Sequence, residues 1–346
     1  MLKVRILSSV PWSLTFGGVE SKALIHKNVS SQAGRTSVDV DFIDFHNPYD
    51  RPDILHIFGA SIATARAGIF AADLGIKVIT NPIWLKPEPT ILHKLGNKLF
   101  KRLPVPNTYS LVNDLLHSST TIVCNCHEEL QQITDIFEIQ KSKTTIIPNG
   151  INRQQFYRSP PDINVLKKLV GADAAKRGYF LSVSFMDPRK NTLRLIEAYS
   201  RLKTDKKLIL VGGFRNAHAE FKKKVLERIA NSGNIAILPK INDKEALRIL
   251  YSGAVAHLLP SILEAPGNSS LEALACGTPV LVGDRPATRE YFGNDAEYCD
   301  PRSVQSISSA ILSLEKKTRN SYGRNLLSWE DVTEKYIDLY RSRGIN

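Results

Sequence analysis

The feature that most constrains this chain is one alternation written twice. Short, apolar, β-branched runs fill the first 150 residues: VRILSSV, VDVDFIDF, DILHIFG, KVITNP, TTIVCN and KTTIIPNG. Helix-like stretches lie between them near 19–31, 61–74, 107–117 and 128–137. Most of these runs lack strict polar alternation and read as strands buried on both faces. Strands separated by helices call for parallel pairing with crossover helices. After a polar, Pro-containing stretch at 152–177 the grammar restarts with YFLSVS, KLILVGG, NIAILP, VAHLLP and PVLVGD. A length of 346 residues suits two cores better than one. The expected fold is α/β, with two Rossmann-like doubly wound domains facing across a cleft. The first spans 1–150, a linker and the start of the second domain span 151–177, and the second domain runs over 178–327. Residues 328–346 begin with Ser328 as an N-cap, carry Glu330 and Asp331 early and Arg341 and Arg343 late, and predict a final helix packing back on the first domain.

Composition narrows the function classes. No run approaches the roughly 18 apolar residues of a membrane span, and the N-terminus reads as a buried strand, not a signal peptide. Four cysteines, Cys124, Cys126, Cys276 and Cys299, make no disulfide framework and predict a reducing, cytoplasmic setting. Cys124-Asn-Cys126-His127 lacks a second ligand pair, so no metal cluster is expected there. The net charge of +12 is uneven: 15 basic against 13 acidic residues before Gly150, 31 against 21 after it. A basic second half suits a polyanionic ligand. The basic residues are scattered without interleaved aromatics, which argues against nucleic acid.

The most informative segment is PSILEAPGNSSLEALACGTPVLVGD, Pro260–Asp284. A strand runs into a turn with Glu264, Pro266 and Gly267, and a helix follows from near Ser269 to Cys276-Gly277. The first amides of that helix, at Asn268, Ser269 and Ser270, are expected to offer a phosphate site. Glu264 and Glu272 bracket it, which suits a diphosphate flanked by sugar hydroxyls. Ser269-Ser-Leu-Glu272 also spells a capping box, in which Glu272 serves only the backbone.

This segment resembles the paired-glutamate signature of retaining glycosyltransferases of family 4 (group 1), which have the GT-B fold. The match holds at Pro260, Ser261, Glu264, Gly267, Leu271, Glu272, Ala273, Ala275, Gly277, Thr278, Pro279 and Val280. IIPNGINRQQF, FLSVSFMDPRKNTLRLIEAYSRL, LILVGG, LPKINDKEALRILYSGA and SWEDV are also similar to that family. The resemblance implies a donor site on the second domain. Lys190 would hold the diphosphate, Glu264 the donor sugar and Glu272 the ribose, with Ser184, Gly212, Gly267, Asn268, Ser269, Ser270 and Leu271 around them. Where the family carries an arginine, five residues before Lys190, this chain has Phe185, and Arg189 is the neighbouring cation. Taken alone, Arg189 and Lys190 also read as solvated loop cations.

In the first domain, Gly17-Gly18 resembles the family's glycine-rich loop, and is equally ordinary turn chemistry. His56 ends a strand like the family's D-I-V-H, either reaching the sugar or acceptor or satisfied within the fold. Asp39-Val-Asp41 spells a metal-binding DxD, but period two puts both on one exposed strand face. No metal or cofactor is expected.

KPEPTILHKLGNKLFKR, 86–102, places Ile91, Leu92, Leu95, Leu99 and Leu103 at helical spacing among Lys94, Lys98, Lys101 and Arg102. Such a helix either packs its apolar face on the core or lies on an anionic membrane. Family members with lipid-linked acceptors resemble the second case. The resemblance thus implies transfer of a hexosyl group, with retention, from a UDP- or GDP-sugar to a glycan or lipid-linked acceptor. The work would belong to surface polysaccharide or glycolipid synthesis, in the cytoplasm at the inner membrane face through 86–103. A nucleotide-sugar epimerase of the same fold and a non-catalytic nucleotide-sugar-binding subunit remain open.

Overall fold

The structure, a computed structural model, describes residues 1–8, 22–24, 26–28, 38–87, 89–100, 107–214, 219–316 and 326–344. The chain divides into two compact units, Met1–Gly150 with Leu327–Asn346, and Ile151–Leu326. Each is built on one parallel six-stranded sheet.

In the first unit the strands are β1 (Leu2–Ser8), β2 (Val38–Phe42), β3 (Ile54–Phe58), β4 (Lys77–Asn81), β5 (Thr121–Cys124) and β6 (Thr144–Ile146). Their order is β2-β1-β3-β4-β5-β6, with Ile6 paired to His56 and His56 to Ile79. Side chains alternate between two apolar layers, as the period of a strand requires. Leu55, Ile57 and Val78 pack on one side with Ala65 and Leu115 from helices Ile62–Asp73 and Thr108–Ser118. Gly68 lets those helices meet, since a Cβ there would lie 2.4 Å from Leu115 Cδ1. On the other side Val4, Ile6, Ile54 and Ile79 meet Trp329, Val332, Tyr336, Ile337 and Tyr340 of the last helix, Trp329–Gly344. Ser328 caps that helix, accepting from the Asp331 amide at 3.1 Å while Asp331 accepts from the Ser328 amide at 2.8 Å.

In the second unit the strands are β7 (Tyr179–Val183), β8 (Lys207–Val211), β9 (Ile235–Leu238), β10 (Ala256–Leu259), β11 (Val280–Gly283) and β12 (Ala296–Cys299). Their order is β12-β11-β10-β7-β8-β9. Successive residues of β8 serve opposite layers, Leu208 and Leu210 one, Ile209 and Val211 the other. The order reverses between β7 and β10. In open α/β sheets that reversal parts the loops beyond the strand ends and leaves room for a ligand. The stretch read as linker carries helices Ile163–Val170 and Ala172–Arg177, whose Leu166 and Ala174 join this unit's core.

Candidate active site

The loop after β7 and the loop after β10 flank the reversal point, and they carry the residues expected to do chemistry. Lys190 Nζ is ion-paired with Glu264 Oε1. Arg189 Nη1 reaches the same oxygen at 3.2 Å and donates to the Leu263 carbonyl at 3.1 Å. Both adjacent cations therefore converge on one carboxylate and are not independent solvated charges. The pair is sheltered, with side-chain exposures of 14% for Lys190 and 11% for Glu264, while Arg189 is 48% exposed. Burial pushes the Glu264 carboxyl up, but the Lys190 and Arg189 charges outweigh it and hold the group below its ordinary value.

Asn191 holds this loop in place. It is one of few non-glycine residues with a left-handed backbone, φ 64°, a conformation Asn tolerates better than most. Its buried Nδ2 donates to the Pro260 carbonyl at 2.9 Å and the Pro301 carbonyl at 2.6 Å. The Ile262 amide donates to the Arg189 carbonyl at 2.9 Å, joining the two loops directly. No local sequence signal marks Asn191, because its two acceptors lie 69 and 110 residues away.

Gly267 opens helix Asn268–Ala275 at φ 91°. A Cβ there would come within 3.0 Å of Leu259 and 3.5 Å of Glu264 Cγ, so glycine lets the acid lie against the helix start. Three expectations change here. The Ser270 amide is already bonded to the Gly267 carbonyl at 2.9 Å and its side chain is buried, so Ser270 offers no amide to a ligand. Leu271 is 2% exposed and belongs to the core. Glu272 is not part of a capping box: the helix has no side-chain N-cap, and Glu272 Oε2 accepts from the Tyr251 hydroxyl at 2.8 Å. Asn268 and Ser269 remain half-buried in the first turn. Burial raises the Glu272 carboxyl, opposed by the Lys244 charge and the Tyr251 hydrogen bond.

Ser184 and Gly212 meet where β7 and β8 end. A Cβ on Gly212 would lie 2.0 Å from the Ser184 carbonyl oxygen, so this glycine is required by the close approach of two loops. His257, unremarked in the sequence, is buried in β10. It accepts from the Val183 amide at 3.2 Å, and burial with the Lys190 charge lowers it to about 3.

The first unit departs further from expectation. His56 is wholly buried, with both ring nitrogens bonded inside the fold. Its Nδ1 bonds Tyr340 Oη at 2.5 Å and its Nε2 bonds Asn81 Oδ1 at 2.7 Å, and Tyr340 is also bonded by His26 Nε2 at 2.6 Å. Burial lowers His56 to about 3, so it is neutral packing for the last helix. Gly17 and Gly18 lie outside the described residues. Asp39 pairs with Arg5 at 2.9 Å and Asp41 with Lys27 at 3.5 Å, on one strand face. All four cysteines are buried and none is in a disulfide among the described residues. Next to His56, buried Lys22 donates to Asn125 Oδ1 at 2.5 Å, and Glu129 accepts from Asn125 and Trp84 amides at 2.7 Å each.

Helix Thr90–Phe100 is turned inside out. Ile91, Leu92 and Leu95 are each 57% exposed and Leu99 63%, whereas Asn97 is buried and donates to the Ile136 carbonyl at 2.9 Å. His93 Nδ1 bonds Tyr109 Oη at 2.8 Å. The polar side thus faces the protein and the apolar side faces out, the reverse of a core-packed helix. Lys94 and Lys98 lie on this helix, which carries no acidic residue. Lys101, Arg102 and Leu103 lie outside the described residues. No described helix is long and apolar enough to cross a membrane.

Residues 170–326 match the family model of glycosyl transferases group 1. The O-antigen chain mannosyltransferase B of Escherichia coli is 31% identical over 66% of this chain and 62% of its own length. An N-acetylgalactosamine-N,N'-diacetylbacillosaminyl-diphospho-undecaprenol 4-alpha-N-acetylgalactosaminyltransferase of Campylobacter jejuni is 28% identical over 55% of this chain and 50% of its own length. The chain therefore spans about half to three fifths of these relatives. The solved structure of Anabaena HepE in complex with UDP and glucose superposes with a TM-score of 0.73 over 99% of this chain and all of that one, at 14% identity, which is a likeness of fold. Residues 170–326 are thus similar to the group 1 glycosyl transferases, and the chain shares its fold with solved GT-B glycosyltransferases.

Proposed function

We propose that the chain is a retaining glycosyltransferase that moves a hexosyl group from a UDP- or GDP-sugar to a hydroxyl of a glycan or lipid-linked acceptor, in surface polysaccharide or glycolipid synthesis. The observation that carries the reading is the convergence of Arg189, Lys190 and Glu264 at the sheet's reversal point, beside the helix start bracketed by Glu264 and Glu272. A diphosphate beside Lys190 shares its charge with Glu264, which is then free to accept from sugar hydroxyls. In the reaction the C1–O bond to the diphosphate breaks, the acceptor oxygen bonds C1, and the acceptor hydroxyl proton passes to the departing diphosphate. Negative charge grows on the departing phosphate, where a fixed cation acts most strongly. A mannosyltransferase and a diphospho-undecaprenol-dependent relative favour this substrate class. The test is transfer from UDP- and GDP-hexoses to a lipid-linked saccharide. Lys190→Ala and Glu272→Ala should each lower turnover by roughly a hundredfold. Near-wild-type transfer by both variants, or isomerised sugar without transfer, would overturn the assignment.

The outward apolar face of Thr90–Phe100 fits an anionic lipid surface. Four aliphatic side chains enter the acyl boundary while Lys94 and Lys98 meet the headgroups, each contributing on the order of 1 kcal/mol. Sedimentation with phosphatidylglycerol vesicles tests it. Lys94→Glu with Lys98→Glu should release the protein, and undiminished binding would refute the contact.

A further inference from the structure

Tyr251 is the side chain on which Glu272 rests. It belongs to helix Lys244–Gly253 and is wholly buried, so its hydroxyl has no solvent to turn to. Phe156 and His257 stand edge-on to its ring, with centroids 6.0 and 5.7 Å away, and fix the plane. The main chain is held as well, since Thr278 Oγ1 donates to the Tyr251 carbonyl at 2.6 Å. The hydroxyl then has one direction, and at 2.8 Å it donates to Glu272 Oε2. Glu272 Oε1 takes no hydrogen bond from any described residue.

We propose that Tyr251 is a positioning residue that sets Glu272 for a ribose diol and so makes the site select ribonucleotides over those lacking the ribose hydroxyls. The inference rests on the reading of Glu272 as the ribose-binding acid. A glutamate has three side-chain torsions, and a carboxylate free to sample them gives up rotamer freedom on binding. Anchoring one oxygen removes that cost beforehand and leaves the other oxygen with its lone pairs aimed at the ligand. The anchor must also be a donor. A site built to accept from a hydroxyl rejects the analogue lacking it, because the acid is then left unpaired. Tyr251 is thus a specificity determinant that touches the ligand only through Glu272.

The test measures binding of UDP and 2′,3′-dideoxy-UDP, and of the guanosine pair, to the full chain by calorimetry. Wild type, Tyr251→Phe and Glu272→Gln are compared, with melting curves confirming that each variant is folded. Phenylalanine keeps the ring contacts and removes only the donor. The expected result is a preference for the ribonucleotide that falls about tenfold in Tyr251→Phe, chiefly through weaker binding of the ribonucleotide, and vanishes in Glu272→Gln. If Glu272→Gln abolishes the preference while Tyr251→Phe keeps the wild-type ratio, the positioning role is overturned and the ribose reading stands. If Glu272→Gln keeps the preference, or no nucleotide binds, the reading of Glu272 falls and this inference falls with it.

Discussion

Lys190 and Glu264 form an ion pair between the loops that follow β7 and β10, the two strands at which the order of the second sheet reverses. The pair is sheltered and shared with Arg189. Removing one partner of such a pair leaves the other charge poorly compensated. Glu264→Ala should therefore abolish transfer, and should leave two unpaired cations that bind free phosphate or sulfate more tightly than wild type. Anion titration of the variant checks this, and unchanged anion affinity would count against the arrangement.

Asn191 spans two carbonyls with one amide while its backbone sits in the left-handed region. Asn191→Gly keeps the backbone freedom and loses both bonds. Asn191→Asp keeps the shape but turns an acceptor toward two carbonyl oxygens. Both should reduce kcat/KM, the aspartate by about tenfold more, since it adds repulsion to the lost donor. Steady-state kinetics on folded variants decides the order.

Burial lowers His56 to about 3, so it stays neutral in the folded protein through the range where an unfolded histidine gains a proton near 6.5. The unfolded chain binds more protons in that window, so stability is full above about pH 6.5 and declines as pH falls toward 3. One such residue contributes about 2 kcal/mol of loss between pH 7 and pH 5. Urea unfolding at those two pH values measures the loss, and a His56 ring resonance that titrates near 6.5 in the native protein would contradict the buried placement.

The inverted helix makes a separate forecast for stability. Leu95→Gln and Leu99→Gln alter side chains more than half exposed and should change unfolding free energy by less than about 0.5 kcal/mol. Asn97→Leu leaves the Ile136 carbonyl without its donor and should cost about 1–3 kcal/mol. Thermal melts of the three variants compare them.

Much of the architecture was legible because buried parallel strands are written as runs. VRILSSV, DILHIFG and KLILVGG each overlap an observed strand. The strand Ala296–Cys299 escaped because an edge strand half-open to solvent, AEYC, carries a polar and an aromatic residue where a central one would be aliphatic. Arg189, Lys190 and Glu264 stood out as charges beyond strand ends, and Glu272 as a charge near the start of the helix that follows. Tyr251 and Asn191 did not, because their roles depend on where a hydroxyl and an amide point across 21 to 110 residues of chain, which no local pattern encodes. His56 misled because a strand-end histidine reads alike whether it faces a ligand or, as here, two tyrosines of a distant helix. Helix Thr90–Phe100 had the right periodicity, and periodicity alone does not say which side faces the core.

Diphosphate binding by Lys190 is the contact on which the proposed function turns. Calorimetric titration of UDP against UMP, and of GDP against GMP, on wild type and Lys190→Ala tests it most directly. Wild type should prefer a diphosphate by at least about tenfold, and this preference should collapse in Lys190→Ala while monophosphate affinity stays near wild type. A Lys190→Ala protein that still prefers the diphosphate by the wild-type margin would contradict it.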